Sequence, residues 1–451
     1  MVPRFFYLLA LLPFCLSCNS NLPVGSGEIT VTPGVSDAVV TTTDSSWTIF
    51  GGPTRESVSP ETGLLKSWSE GGPPLLWKAT GIGTTEFPGY SSVTVAEGRV
   101  FTAGNVRTGG NDQAAHAYVY ALDETTGEEL WRYRNGPAWT DRGHFPGERG
   151  TPTIDGERVY AYSAIGRLAC LEAATGKEIW AKDLRAEYDA DLPTWAFAES
   201  PYIDGNKVII WVGGKKAAVV ALNKMTGEPI WTTPVADPVR KAGYATMIAF
   251  DHGGQRIYVN TNQKGILGVN AETGARLFMI THETDHDILA TTPYFFEGKL
   301  FFSSGYGAGA KLYRLNVSGN TITPERLWFN QHFDNQHHGV VIKDGYAYGS
   351  TQNRGGGRNW MCVKLEDGST VWENPGVHKG SVKYADGMLY CFGEREGDVA
   401  LVKATPNGYE ETGRFTLPEG VGMYWAHPVV VNKKLFLRHG NVLYCYDVAE
   451  R

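Results

Sequence analysis

The sequence predicts an all-β fold, an eight-bladed β-propeller with four-stranded blades. Three observations predict it. An eleven-residue phrase ending in a bulky aromatic recurs along the chain, at Ala121 to Trp131, Cys170 to Trp180, Ala221 to Trp231 and Gly268 to Phe278. Each copy holds a Thr-Gly pair whose glycine stands four residues before the aromatic. Asp-Gly and Glu-Gly pairs lie between short apolar runs, as at Asp155-Gly156, Asp204-Gly205, Glu297-Gly298, Asp344-Gly345 and Asp386-Gly387. The two chain ends carry complementary fractions of one unit. Self-similarity at a period of roughly 40 to 50 residues is the signature of a propeller or solenoid.

The phrase works as a ruler for the blades. Weaker copies reach Trp328, Trp372 and Arg414, and Leu75-Leu76-Trp77-Lys78 reads as a closing strand alone. The closing positions are Trp77, Trp131, Trp180, Trp231, Phe278, Trp328, Trp372 and Arg414. In the unit closing at Trp180, Thr151 to Ile154, Val159 to Ala161, Leu168 to Leu171 and Ile179-Trp180 read as four strands. Asp-Gly between alternating apolar residues is a strong hairpin signal. Such strands are too short to bury a face alone and bury one by stacking blade on blade. The last unit, His427 to Val448, supplies three strands and lacks a closing one. The strand near Trp77 is expected to join it, which closes the ring and removes an exposed edge.

The first residues read as an export leader. Arg4 precedes the apolar run Phe5 to Phe14, too short to span a bilayer as a mature helix. Ser17-Cys18 resembles a lipobox, with Cys18 as the lipidated residue. Three segments follow: leader 1–18, a flexible tether 19–45 of small and polar residues, and a propeller body 46–451. The expected location is extracytoplasmic, either in the periplasm or anchored at the outer membrane through Cys18. A net charge of −7 lacks the basic face that a nucleic-acid surface needs. The body cysteines Cys170, Cys362, Cys391 and Cys445 stand singly in apolar patterns, as buried thiols do.

The phrase Ala-x-Asp/Asn-x-x-Thr-Gly-x-x-x-Trp resembles the tryptophan-docking motif of pyrroloquinoline quinone (PQQ) repeat proteins, extracytoplasmic bacterial type. The opening Trp47 to Arg55 and Gly71 to Trp77 are similar to that family's beginning. The resemblance covers about residues 47–449 and implies an eight-bladed ring. It also implies a structural role for the docking residues Trp131, Trp180, Trp231, Phe278, Trp328 and Trp372, each bolting one blade to the next. Two functional branches share the fold. Quinoprotein alcohol dehydrogenases bind PQQ and calcium at the mouth of the ring, beneath a vicinal disulfide. Non-catalytic members include the lipoprotein subunit of the outer-membrane β-barrel assembly machine. This chain has neither adjacent cysteines nor Cys-x-x-Cys-His. The expectation is therefore a monomeric binding module for a ligand or an envelope protein. A PQQ-dependent alcohol or sugar dehydrogenase is the alternative.

Function is expected on the loops that run from one blade's outer strand to the next blade's inner strand, because a rigid scaffold positions them. Eight of the eleven histidines fall there. The ligand-binding candidates are Arg149, Trp195, Glu199, His286, Asp287, His338, Lys379, Trp425 and His427. Trp195 and Trp425 suit stacking on a planar ring, the histidines suit proton transfer or polar contacts, and Asp285, Asp287 and Glu199 suit calcium. In His337-His338, strand alternation would turn only one ring to the channel. His282-Glu283-Thr284-Asp285-His286 fits His-Glu-x-x-His, but that zinc chemistry needs a helix and the repeat leaves no room for one. No metal centre is assigned from the sequence.

Overall fold

The computed structural model describes residues 28–34, 45–107, 114–235, 241–284, 286, 288–352 and 358–451. Among them are eight sheets, six of four strands and two of five, antiparallel except where one two-residue strand joins in parallel. In chain order, blade 1 is Thr94–Ala96, Arg99–Arg107, Ala115–Asp123 and Glu129–Pro137. Blade 2 is Thr153–Asp155, Arg158–Tyr162, Arg167–Glu172 and Glu178–Asp183. Blade 3 closes with Pro229–Thr233, blade 4 with Arg276–Thr281, blade 5 with Thr321–Asn330, blade 6 with Thr370–Asn374 and blade 7 with Glu411–Thr416. Blade 8 joins Val429–Val431, Lys434–His439 and Val442–Asp447 to Leu75–Thr80, with Trp77 opposite Cys445. The ring closes as the sequence predicts.

The recurring phrase has a physical cause in each outer hairpin. Cys170 pairs with Trp180, and the next pair is Leu171 with Glu178, so Ile179 is an extra residue. The same shift occurs beside Trp131, Trp231, Phe278, Trp328 and Trp372. A β-bulge bends its strand and re-aims the side chains. It turns Leu130, Ile179 and Ile230 outward, 48%, 42% and 43% exposed, and swings the aromatic onto the next blade. There the indole N–H donates to a turn carbonyl: Trp77 to Glu124, Trp131 to Ala173, Trp180 to Lys224 and Trp231 to Ala271, at 3.0 to 3.1 Å. Trp328 and Trp372 bond Leu365 and Thr405 likewise. The indole also lies on the glycine of the next copy. A Cβ on Gly176, where φ is +71°, would stand 2.5 Å from the Trp131 ring. The tryptophan of one copy thus requires the glycine of the next.

Blade 7 departs from the pattern. The expected closing position, Arg414, is off by one. The register shift falls where Leu401 pairs with Gly413 and Val402 with Glu411, so Gly413 stands where the other blades carry the aromatic. Arg414 beside it pairs with Glu411 and Asp398 inside its own blade. The docking aromatic comes from elsewhere. Trp68 sits between blades 7 and 8 with its ring 5.9 Å from Tyr390, where Trp180 lies 6.1 Å from Tyr160 and Trp372 6.1 Å from Tyr348.

The segment from Trp47 to Glu61 threads the ring. Trp47 bridges Val95 of blade 1, and the Thr48 carbonyl accepts from Ile154 of blade 2. Arg55 lies 4.1 Å over the Tyr202 ring of blade 3 and donates to the Met247 carbonyl beside blade 4. Val58–Ser59 pairs in parallel with Gly380–Ala385, the inner strand of blade 7. Glu61 accepts from Asn432 and Lys433 of blade 8. A segment that meets the inner strands from opposite sides of the ring fills its central channel. Trp47, Arg55, Ser57 and Ser59 are all buried.

The tether reading fails at Thr30–Pro33, which forms an added outer strand on Leu75–Thr80. The leader with Cys18 lies outside the described residues. No helix among the described residues is long and apolar enough to cross a membrane.

Candidate functional site

Above the threaded segment lies a cavity of about 370 Å³, with Phe50 of that segment among its lining residues. Its walls differ. Tyr90, Phe145, Trp195, Tyr244 and Trp425, from the loops before blades 1, 2, 3, 4 and 8, make an aromatic side. Arg358, Lys379 and Arg395, around blades 6 and 7, make a basic side, and a second cavity of about 250 Å³ continues along it. Glu394 is the only carboxylate lining either wall of the main cavity among the described residues.

Arg149 enters from the aromatic side. Its guanidinium lies 5.0 Å over Tyr90 and 5.6 Å over Trp425, and it donates to the His144 and Phe145 carbonyls. Burial lowers it to about 10, so it stays charged at neutral pH. Trp195 stacks on Phe145 at 6.1 Å. Opposite them, Glu394 is the centre of a polar knot. It takes Lys379 Nζ at 2.9 Å, His338 Nε2 at 3.0 Å and Trp425 Nε1 at 3.2 Å. Burial works to raise its carboxyl, but the His338 contact and the Lys379 charge outweigh it and hold the group ionised. His427 lies 4.9 Å from the Phe50 ring, bonds the His337 carbonyl, and is pushed down to about 3 by burial and the nearby Lys383 charge.

Of the nine candidate residues, Arg149, Trp195, Lys379, Trp425 and His427 line the cavity. His338 lies just behind the lining, fully buried on Glu394. His286 is exposed, with its ring 4.7 Å from that of the lining Tyr306. Asp287, like Asp285, lies outside the described residues. Glu199 does not reach the cavity. It is buried in the blade interior, accepts from the Trp211 backbone and from Asn260 at 2.7 Å each, and is raised by burial to about 8. His337 and His338 do not alternate, because residues 331–340 form no strand; their ring centroids lie 3.8 Å apart, tilted by 33°. His282 of the His-Glu-x-x-His match is buried on Ser304 and Lys311, His286 is exposed, and neither lies on a helix.

Sequence reasoning missed Phe50, Tyr306, Arg358, Glu394 and Arg395. The last four lie on hairpins between second and third strands, which open on the same face as the loops between blades. A search that also covered these hairpins would have included them.

A family model for the PQQ-repeat type, described as "Outer membrane protein assembly factor BamB", matches residues 115–374. The chain belongs to this family. Within the PQQ-repeat family it is 29% identical over 148 residues to quinohemoprotein alcohol dehydrogenase ADH-IIG of Pseudomonas putida, which is 30% of this chain and 18% of that protein. It is 35% identical over 89 residues to outer membrane protein assembly factor BamB of Escherichia coli K12, 19% of this chain and 21% of that one. The matches thus span about a fifth of these relatives' length. Among solved structures, BamB from Moraxella catarrhalis superposes with a TM-score of 0.54 at 15% identity, covering 80% of this chain and 95% of the other. Quinohemoprotein alcohol dehydrogenase from Comamonas testosteroni gives 0.59 at 13% identity, covering 92% and 82%. These likenesses establish the eight-bladed fold.

The dehydrogenase relatives raise the question of a quinone held on calcium. Calcium takes six to eight oxygen ligands. Among the described residues the cavity offers one carboxylate, Glu394, with Lys379 on its Oε1; Asp285 and Asp287 lie outside the described residues. Cys170, Cys362, Cys391 and Cys445 are buried in strands, and none lines the cavity. The described donors, one lysine-bonded carboxylate with the Gln336 and Gln352 amides, do not by themselves fit a calcium-held quinone.

Proposed function

We propose that this chain is an extracytoplasmic binding module that captures a small anionic, ring-bearing ligand in the mouth of its propeller. The observation that carries the reading is the cup itself: a ring floored by its own N-terminal segment, aromatic on one side and basic on the other. A planar ring gains from the aromatic side and a carboxylate, sulfonate or phosphate from Arg149, Arg358, Lys379 and Arg395. Cavities of roughly 300–1,000 Å³ with a few convergent polar groups are the usual dimensions of small-molecule sites. The export reading rests on the leader and on the outer-membrane role named for the BamB relatives.

The dye 8-anilinonaphthalene-1-sulfonate carries both features and tests the reading. It should bind one per chain and saturably, quenching tryptophan emission by energy transfer. Arg149→Ala and Trp425→Phe should each weaken it at least roughly tenfold, the effect of losing one charge-assisted contact or one aromatic wall. Leu130→Ser, on the outer rim, should leave it unchanged. Non-saturable binding, or binding indifferent to both mouth variants, would overturn the proposal.

A second reading, docking on an envelope protein, has one observation in its favour. Leu130, Ile179 and Ile230 occupy equivalent bulges on three successive blades, each more than two-fifths exposed. A photo-cross-linker at Ile179 in the native envelope tests it. A discrete adduct that disappears with Leu130→Ser and Ile230→Ser supports docking, and no adduct opposes it.

A further inference from the structure

We propose that His337, His338 and Glu394 form a binding site for one divalent transition-metal ion of the zinc class. His337 and His338 stand on the loop that leads into Val341–Lys343, the inner strand of blade 6, and Glu394 directly follows Met388–Gly393 of blade 7. One ligand atom from each lies within 4.8 Å of the others. His338 Nε2 and Glu394 Oε2 are 3.0 Å apart. Two ligands on a tetrahedral zinc, at bond lengths of about 2.0–2.2 Å, stand roughly 3.3–3.6 Å apart, so this pair is within a few tenths of an ångström of coordination spacing.

The second observation is an orphaned nitrogen. His337 Nε2 is buried and has no hydrogen-bond partner. Buried polar atoms are almost always paired, and each exception needs an account, a missing ion being one. Two imidazoles and one carboxylate also match the zinc class by chemistry, where calcium or magnesium would require oxygen ligands.

The surroundings orient these groups as outer partners of a metal site do. Trp425 Nε1 and Lys379 Nζ fix the Glu394 carboxylate, and His427 Nε2 bonds the His337 carbonyl at 2.9 Å. Lys379 sits on Oε1, the oxygen away from His338, so its charge weakens the site, and the Trp425 N–H shares Oε2 at 3.2 Å. Three protein ligands leave a fourth position open, the arrangement of zinc sites that exchange a ligand. His337 and Glu394 both line the cavity, so that position faces its interior. The site does not depend on capture of an organic anion.

The test uses the full chain, freed of metal with a chelator and titrated with Co²⁺. The expected result is one Co²⁺ per chain with the visible absorption of a low-coordinate nitrogen–oxygen site, displaced by Zn²⁺, together with a rise in melting temperature. His337→Gln and His338→Gln should each lower affinity by roughly tenfold or more, whereas His286→Gln should not. Should His338→Gln fail to fold, His337→Gln decides the matter, since His337 is partly exposed and its loss leaves the His338–Glu394 bond intact. No stoichiometric Co²⁺ or Zn²⁺ binding by the wild-type chain would overturn the proposal. So would binding that both folded histidine variants retain. Dye binding that persists without metal binding would remove this site and leave the captured-anion reading standing.

Discussion

At the residue scale, burial separates the groups that serve the mouth from those that serve the scaffold. Glu199 and Glu394 are both nearly inaccessible carboxylates, yet their surroundings push them in opposite directions. Glu394 faces Lys379 and stays ionised. Glu199 has only neutral donors in contact and is raised to about 8, the more distant Arg55 being too weak to reverse it. For a carboxyl raised in the folded state, the native chain holds the proton that the unfolded chain has lost. Its stabilising contribution is therefore full below about pH 4.5 and fades as pH rises through about 8. Glu199→Gln cannot ionise. Relative to wild type, the variant should gain on the order of a few kcal/mol between pH 5 and pH 8, read from denaturant midpoints at the two pH values. A difference that does not change with pH would mean Glu199 ionises freely. Its place on a loop makes Glu199 a site candidate in the sequence, but loop position alone does not report which way a side chain turns. Trp195, Trp425 and Lys379 were legible because long side chains at the ends of channel loops have few other places to go.

At the element scale, the outer hairpin is the working unit, and the sequence displays it openly. The aromatic, the bulge residue before it and the glycine four residues back are one device, read correctly from spacing because each part is local. The exception was not legible. Counting copies gives the closing position of blade 7 to Arg414, the register gives it to Gly413, and Trp68 supplies the ring; nothing local to residues 401–414 points to a tryptophan more than three hundred positions earlier. If Trp68 is the docking residue, Trp68→Ala should cost about 3–5 kcal/mol in urea unfolding, comparable to truncating a large core aromatic elsewhere. Arg414→Ala, which loses exposed ion pairs, should cost about 1 kcal/mol or less. Near-equal losses would contradict the assignment. The hairpins bearing Arg358, Glu394 and Arg395 were overlooked for a related reason: which ends of the strands share a face is a property of the blade, and the repeat phrase does not announce it.

At the scale of the whole molecule, ring and strap together make the site. The eight blades and their closure by Trp77 followed from counting copies. The strap could not be counted, since Trp47 to Glu61 belongs to no repeat and its partners, Val95, Ile154, Met247, Tyr384 and Asn432, are scattered across the chain. Without it the ring would be a tube; with it, the aromatic and basic walls enclose a cup with Phe50 in its lining. Lys434 of blade 8 also pairs with Glu124 of blade 1 at 2.9 Å in the buried seam beside the strap. Both proposals, the captured anion and the metal, place their ligands above this floor. The most direct test is hydrogen exchange of the native chain, followed at peptides spanning residues 47–61. The account predicts protection there comparable to the inner strands of blades 1 and 7, because the segment is buried and hydrogen-bonded to them. Exchange as fast as in an open chain would show that the strap does not occupy the channel, and the cup would lose its floor.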